Sequence, residues 1–363
     1  MFSLGLMSGT ASDGLSIALA AFKGRKCRLI AYQTFSYPRT LADRLLRMGA
    51  SQAPQPIADI SKLHRWLGDF FAAKTVLFLK RHRMAASRIR AIGSHGHTLY
   101  HGPGANPPST FQIGEPSFLA ERTGIPVVSD FRQRDLAARG EGAPLIPFFD
   151  QTFFGNGLLT ACQNIGGIAN VTLVGRGLKR TVAFDNGPGN CLMDEAMRKT
   201  YRRPYDEAGR IAGAGRIHFR DVMRILKHPF FRKAPPKSTG RELFHLENFK
   251  SELRGLRGAD LMATLAYVTA RSIADSYRRF LPRNLKRVIV SGGGAKNGTL
   301  MRHLKDLLMP VAVESIERWG ISAQAKEPMA FAYLALCAVL HRINHLPEAT
   351  GARAPRILGK ITY

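Results

Sequence analysis

Short apolar, β-prone runs at residues 2–7, 15–22 and 28–35 predict that the chain opens with three strands. The pattern then changes period. Ile60, Leu63, Trp66, Leu67, Phe70 and Phe71 recur at helical spacing within 57–82, which predicts one long amphipathic helix. Further strands are expected at 89–93, around 127–129, at 158–162, 171–174, 181–184 and 288–290. Helices are expected over 191–200, with Leu192, Met193, Ala196 and Met197 inward, and over about 260–279, with Leu261, Leu265, Val268 and Ile273 on the apolar stripe. The apolar run 329–340 is too short to span a bilayer and reads as a buried helix. Strands interleaved with helices in this way make an α/β protein.

Small-residue turns punctuate the pattern. The first strand enters Ser8-Gly9-Thr10-Ala11-Ser12-Asp13-Gly14 and returns at once as the second. Asn164-Ile165-Gly166-Gly167-Ile168-Ala169-Asn170 repeats the arrangement between two later strands, a coarse internal repeat. Such turns expose backbone N–H groups that can cradle a phosphate, because small side chains let its oxygens approach. Ser291-Gly292-Gly293-Gly294, with Asn297, is a strand-to-helix turn on which a base or ribose can lie, the helix N-terminus favouring phosphate oxygens. Phe184-Asp185-Asn186-Gly187-Pro188-Gly189-Asn190 sets a carboxylate at the end of a strand, before a turn that a ligand can approach. Asp185 is therefore a candidate catalytic base. On this motif alone it reads equally well as a turn cap.

Two other segments are rich in polar function. Ser94 to His101 carries His95, His97 and His101, which read as a substrate-facing polar loop in preference to a metal site, since no acidic third ligand stands nearby. Thr98 and Gln112 offer neutral donors and acceptors suited to sugar hydroxyls or an amide. Asp130, Arg132, Arg134 and Asp135 lie beside a Gly/Pro loop at 140–147, and arginine suits bidentate capture of a carboxylate or phosphate. An ion pair between lobes is the competing reading.

Composition narrows the class. At 363 residues the chain exceeds what one core of roughly 100–200 residues supports. A hydrophobic share of 45% with 35 Gly and 20 Pro fits a soluble, turn-rich fold and argues against disorder. The formal charge is +27, from 53 Lys+Arg against 26 Asp+Glu. Such a balance favours polyanions, yet the basic residues are scattered and no aromatic-interleaved motif marks dedicated nucleic-acid binding. The charge is read mainly as a solvated surface, compatible with phosphorylated ligands. Cys27, Cys162, Cys191 and Cys337 show no CxxC spacing and read as reduced thiols, and no leader is apparent, so a cytoplasmic setting is expected.

Taken in order, these motifs resemble those of the anhydro-N-acetylmuramic acid kinases, members of the actin, Hsp70 and sugar-kinase superfamily. The matching stretches are Gly5 to Thr10, Ser94-His95-Gly96 with Thr98, Gln112 to Gly114, Asp130-Phe131-Arg132 with Asp135, and Gly142 to Leu145. They continue through Asn164 to Asn170, Asp185 to Asn190, Pro236 to Glu242, and Ser291 to Gly294 with Asn297. The resemblance implies two RNase H-like lobes (an actin-like ATPase fold) with an interlobe active-site cleft: residues 1–128, joined by a returning C-terminal helix at about 329–363, and residues 129–328. It implies a reaction in which ATP and water open a 1,6-anhydro-muramic acid sugar and phosphorylate O6, in cell-wall recycling. Asp185 would be the general base, and Thr98, Arg132, Asp135 and Glu327 would contact the sugar or its lactyl carboxylate. Gly9, Thr10, Ala11, Ser12, Asp13, Gly14, Leu15 and Ser16 would hold ATP phosphates, with Asp13 the candidate ligand for Mg²⁺. Asn164, Gly166, Gly167, Asn170, Gly187, Gly189, Asn190, Gly292, Gly293, Gly294 and Asn297 complete the expected nucleotide set. The implied partners are the sugar and ATP, with a homodimer left open and no membrane.

The chain departs from the family pattern at several points. Ser16 stands where a second acid is usual, His97 where Gln is usual, Arg139 and Glu141 where Gly and Gln are common, and Asn186 where Thr is frequent. Gln324 and Pro328 replace the Asp and Ala of an Asp-x-x-Glu-Ala segment that keeps Glu327. A kinase of another amino sugar, or a catalytically impaired nucleotide- or polyanion-binding homologue, are the alternatives these departures raise.

Overall fold

The computed structural model describes residues 1–9, 12, 14–50, 55–155, 157–176, 181–240 and 242–363. Strands in chain order are β1 (Phe2–Ser8), β2 (Gly14–Lys23), β3 (Lys26–Ser36), β4 (Ile89–Gly102), β5 (Ser109–Ile113) and β6 (Val127–Ser129). They continue with β7 (Thr160–Ile165), β8 (Ile168–Val174), β9 (Val182–Pro188), β10 (Arg287–Ser291), β11 (Ala312–Ser315) and β12 (Lys360–Thr362). These strands form two sheets in two compact units, one of residues 1–153 and 325–363, the other of residues 154–324.

In the first unit the sheet order is β12-β6-β4-β1-β2-β3, with β5 paired to β4. β1, β2 and β3 form an antiparallel meander, while β4 runs parallel to β1 and β6 parallel to β4. The second unit repeats the scheme, with order β11-β10-β7-β8-β9, antiparallel from β7 to β9 and parallel where β10 and β11 join. Two such sheets make both units RNase H-like.

The first sheet is covered by the helix Lys326–Val339, whose sequence is apolar on nearly every side. Its backbone comes so close that a Cβ on Gly5 of β1 would strike the Pro328 carbonyl and the Ala332 amide, and one on Gly93 of β4 the Phe331 carbonyl. Ser3 Oγ donates to Ala91 O and Ala332 O, at 2.8 and 2.9 Å, so helix and sheet share a buried polar bond. Rings from both ends of the chain meet beside it: Tyr333 lies 5.1 Å from Phe22 and 4.7 Å from Phe153. The second unit is organised on the helix Gly258–Phe280, whose buried face includes Leu265, Val268 and Ile273.

The unit boundary departs from the sequence expectation. It falls after Phe153 and not at 128/129, and 325–328 belong with the first unit. β6 is paired with β4 and with the C-terminal strand β12, so the segment that follows it stays with the first sheet. The helix Pro147–Phe154 is bound there by a buried ion pair, Lys326 Nζ to Asp150 at 2.9 Å. Among the described residues, no helix is long and apolar enough to cross a membrane.

Gly5→Ala and Gly93→Ala are each expected to cost about 1–3 kcal/mol, because backbone and not a pliable side chain occupies the space. Urea unfolding of the purified variants measures this, and a cost below the experimental error would show that the helix can lift away.

Candidate active site

Asp185 is not at a strand end. β9 continues through Gly187 and Pro188, with Asp185 opposite Asn170, Gly187 opposite Ala169 and Pro188 opposite Ile168. The register shifts between Ala169 and Asn170. Because side chains alternate along a strand, Asp185 and Asn186 face opposite sides. Asn186 is fully buried, accepting from Gln163 Nε2 at 2.9 Å and donating to Ser276 Oγ at 2.7 Å, while Tyr277 donates to Gln163 Oε1 at 2.8 Å. The residue that departs from the family pattern thus completes a satisfied polar network beneath the strand.

The half-buried Asp185 carboxylate is held from a single loop. Its backbone N–H donates to Lys237 O at 3.0 Å, and Thr239 N–H donates to Asp185 Oδ2 at 2.9 Å. Burial raises its pKa to about 6, against the pull of the Thr239 bond and the Lys237 charge. A carboxylate in this state accepts a proton more readily than an exposed one and is still ionised at neutral pH.

The glycine turns of the second unit converge next to it. Gly166 and Gly167 cap the β7–β8 hairpin, and their carbonyls accept from Asn190 N (2.8 Å), Gly189 N (2.9 Å) and Cys191 N (3.1 Å) at the start of the helix Cys191–Tyr201. A Cβ on Gly189 would collide with Gly166 O, so this contact requires glycine. Gly292, at φ +82°, packs on the Asn164 side chain and Ile165 carbonyl, and Gly294 on Ile165. Asn190 Nδ2 donates to Ile165 O at 3.2 Å, and Asn170 lies opposite Asn164 across the hairpin. Asn164, Gly166, Gly167, Asn170, Gly189, Asn190 and Gly292 to Gly294 therefore form one constellation. Gly187 is different, since its α-carbon packs on the Phe231 ring, so glycine is needed there for packing. Asn297 Oδ1 accepts from Leu300 N at 2.9 Å, capping the helix Gly298–Leu308.

Beside this constellation lies a cavity of about 300 Å³ in the second unit, lined by Asn190, Gly293 and Asn297. The sequence marks no site role for its other walls Met193, Asp194, Tyr205, Asp206, Ala208 and Lys296, whereas Gln324, singled out as a departure from the family pattern, also lines it. No motif points to Tyr205 or Asp206, which chain folding alone brings here. Asp206 is occupied, accepting from Ile211 N at 3.0 Å and Ala212 N at 2.9 Å. Gln324 accepts from Lys296 Nζ at 3.1 Å, so the acid-to-amide departure falls on the wall of this cavity.

In the first unit, Gly9 stands at the end of β1 with open space around its α-carbon, and Ser12 N–H donates to Gly9 O at 3.0 Å. Thr10, Ala11 and Asp13 lie outside the described residues. Gly14 opens β2 opposite Ser36. Leu15 is fully buried, which leaves its side chain in the core and not on a ligand. Ser16 faces the other way and joins Tyr32 and Thr34 in a hydroxyl cluster, at 3.1 and 2.9 Å.

The histidine segment is a strand where a loop was expected, because β4 runs unbroken to Gly102. His95 and His97 are buried and employed. His95 Nδ1 meets Gly96 O at 3.0 Å, so Nε2 is free to accept from Arg132 Nη2 at 2.9 Å and Nε at 3.2 Å. Burial, then the Arg132 charge, depresses His95 to about 3. Tyr37 donates to Ser8 Oγ at 2.6 Å, and Ser8 Oγ lies 2.8 Å from His97 Nδ1, a chain that suits a neutral imidazole; burial holds His97 at about 4.

Arg132 also donates to Gly142 O at 2.9 Å, and Glu327 acts on it electrostatically. Burial raises the Glu327 pKa while Lys326 and Arg132 oppose it. Asp135 has no exposed surface: its carboxylate accepts from Thr350 Oγ1 (2.6 Å) and Gly142 N (2.5 Å), with His345 Nε2 at 2.5 Å. It anchors the 140–142 loop and the C-terminal segment, a structural duty that the sequence did not disclose. Thr98 accepts a long bond, 3.4 Å, from Gln112.

The family model for anhydro-N-acetylmuramic acid kinase matches residues 1–363. The chain belongs to this family. A relative of that description from Xanthomonas oryzae pv. oryzae is 41% identical, with 99% of this chain and 96% of the relative aligned. Another from Caldanaerobacter subterraneus subsp. tengcongensis is 38% identical, over 99% and 96%. Among solved structures, a ROK family glucokinase from Streptomyces griseus is similar at a TM-score of 0.42 and 14% identity, covering 93% of this chain and 99% of that one. An activator of 2-hydroxyisocaproyl-CoA dehydratase from Clostridium difficile aligns at 0.45 and 14%, covering 94% and 96%.

Burial pushes the Asp135 pKa up, but the bonds from His345, Thr350 and Gly142 outweigh it and hold it below the ordinary value. Its contribution to stability is therefore full above the ordinary carboxylate range and lost as pH falls through the lowered folded value. Asp135→Asn is expected to cost about 2–4 kcal/mol at neutral pH and to flatten the acid side of the stability profile. Thermal or urea unfolding between neutral and acid pH reads both effects.

Proposed function

We propose that this protein is an ATP-dependent anhydro-N-acetylmuramic acid kinase, opening the 1,6-anhydro ring with water and delivering the γ-phosphoryl group to O6. The family match over the whole chain carries this reading. Asp185, held by the Lys237–Thr239 loop, supports it chemically.

In the proposed step Asp185 takes a proton from water as the water oxygen bonds to the anomeric carbon. The bond from that carbon to O6 breaks, O6 takes the γ-phosphoryl group, and ADP leaves. Capture of O6 by phosphate means that Asp185 need be only moderately basic. The Gly166–Gly167 and Gly292–Gly294 turns suit the nucleotide, since glycine presents no side chain to hold phosphate away, and at Gly292 and Gly294 the Asn164 and Ile165 atoms leave no room for one. The adjoining cavity suits the nucleoside, with Tyr205 and Met193 offering flat and apolar contact and Lys296 and Gln324 polar contact.

Arg132 supports recognition of the lactyl carboxylate. Its guanidinium is oriented by His95 and the Gly142 carbonyl, and burial lowers its pKa only to about 10, so it keeps its charge at neutral pH. Glu327 beside it suits a sugar hydroxyl or amide, and Thr98 another. Asp135 serves through the loop it ties and through its field on Arg132.

No three His, Cys, Asp or Glu among the described residues are grouped to hold a metal. An ion carried in by the nucleotide needs few protein ligands, since Mg²⁺ usually keeps several waters and binds through phosphates plus one or two carboxylates. Asp13 is the proposed carboxylate. When bound, Mg²⁺ supplies neutralisation of phosphate charge.

Because Asp185 must be ionised to act, kcat/KM is expected to fall as pH drops through about 6 and to level off above it. Asp185→Asn is expected to reduce turnover by at least ~1,000-fold, the scale of losing a general base together with its water contact, while folding normally. ADP release coupled to an indicator, with 1,6-anhydro-N-acetylmuramic acid as acceptor, measures both. Turnover that survives the substitution would remove Asp185 from this role; turnover only with another amino sugar would shift the substrate and keep the chemistry.

A further inference from the structure

Lys237 is a buried lysine with an unusual setting. Only 5% of its surface is exposed. Its ammonium lies 4.6 Å from the centre of the Phe230 ring, 5.1 Å from Phe280 and 5.9 Å from Phe184, and donates to Phe230 O at 3.3 Å. Phe184 is the residue before Asp185. The backbone of Lys237 accepts from Asp185 N–H, and two residues on, Thr239 N–H donates to the Asp185 carboxylate. Three aromatic faces around one ammonium fix the side chain that begins this grip.

The far end of the loop is fixed as well, on a cluster that shares Phe230 with the lysine cage. Gly240 O accepts from Phe244 N at 3.3 Å, and Phe244 is buried against Phe230, Phe231 and Phe249. Between these anchors Ser238 is exposed. The loop is thus pinned at both ends and touches Asp185 in the middle.

We infer that Lys237 is a positioning residue for Asp185: its caged ammonium seats the loop whose backbone orients the carboxylate, and stands as a fixed positive charge behind the base. This rests on Asp185 being the base. Among the described residues, the charged groups that bear on the pair are these. Lys237 and Glu242 act on Asp185, in opposite senses, while Arg279, Asp185 and Lys233 act on Lys237. Burial, then Arg279, lowers the lysine pKa to about 8, so at neutral pH most of it carries its charge. An opposite charge close to a carboxylate lowers its pKa by about 1 unit or more.

The test is the pH profile of kcat/KM. Lys237→Met keeps the length and removes the charge; its acid limb is expected to move up by about 1 pH unit, a roughly tenfold loss at pH 5, mainly in kcat. Lys237→Arg keeps a cation and is expected to leave the limb in place. A folded Lys237→Met protein whose limb does not move, or a limb displaced equally by Arg and Met, would overturn the inference. Coupling is reciprocal, so a second reading needs neither substitution of Lys237 nor turnover. NMR of labelled lysine side chains is expected to show one lysine titrating near 8 in the wild type, with its midpoint lowered in Asp185→Asn. A midpoint unchanged by Asp185→Asn would also overturn it. Full turnover by Asp185→Asn would instead remove the base assignment, and the NMR shift would still report whether the two groups are coupled.

Discussion

The contact on which the second unit depends is a set of backbone bonds between a hairpin tip and a helix start. Two glycine carbonyls, at 166 and 167, receive the amides of 189, 190 and 191. No side chain intervenes, because a Cβ at 189 has no room. The bonds lock β7, β8, β9 and the following helix into one piece and bring the Gly292–Gly294 turn against Ile165. Amides spent here are not available to a phosphate, so a glycine-rich turn in this unit has two employments. Some of its glycines admit a ligand, while Gly187 and Gly189 admit other parts of the protein.

Much of this architecture was legible in the chain. Strand and helix identities followed from apolar periodicity, as with the helix Gly258–Phe280, because residues that bury one face must repeat at the period of their backbone. Boundaries were harder. β9 outruns the apolar segment that announces it, since β8 continues to supply partners as far as Pro188. β4 likewise carries three histidines, polar enough to suggest a loop, because Ser8 and Arg132 satisfy two of them in place of water. The division into units was misplaced for a similar reason: the pairing of β6 with β12 joins segments far apart in the chain, and no local pattern reports it.

The positions that depart from the family pattern acquire physical meaning in the fold. Asn186 closes a buried amide and hydroxyl network, Ser16 joins two other hydroxyls, His97 extends a chain from Tyr37, and Gln324 pairs with Lys296. Each of these four side chains finds a hydrogen-bond partner. Asp135 shows the opposite case. The family resemblance implied a ligand contact for it, whereas its partners include His345 and Thr350, which no motif marks.

The first unit is not contiguous in the chain. Residues 1–153 supply most of its sheet, but the helix that covers Gly5 and Gly93, and the edge strand β12, come from 325–363. The second unit, 154–324, is an uninterrupted insert between them. During synthesis, then, the insert is complete in sequence while its predecessor still lacks a lid, with two bare glycines and the apolar strands around them open to water. The middle of the protein is complete in sequence before its beginning has all its parts.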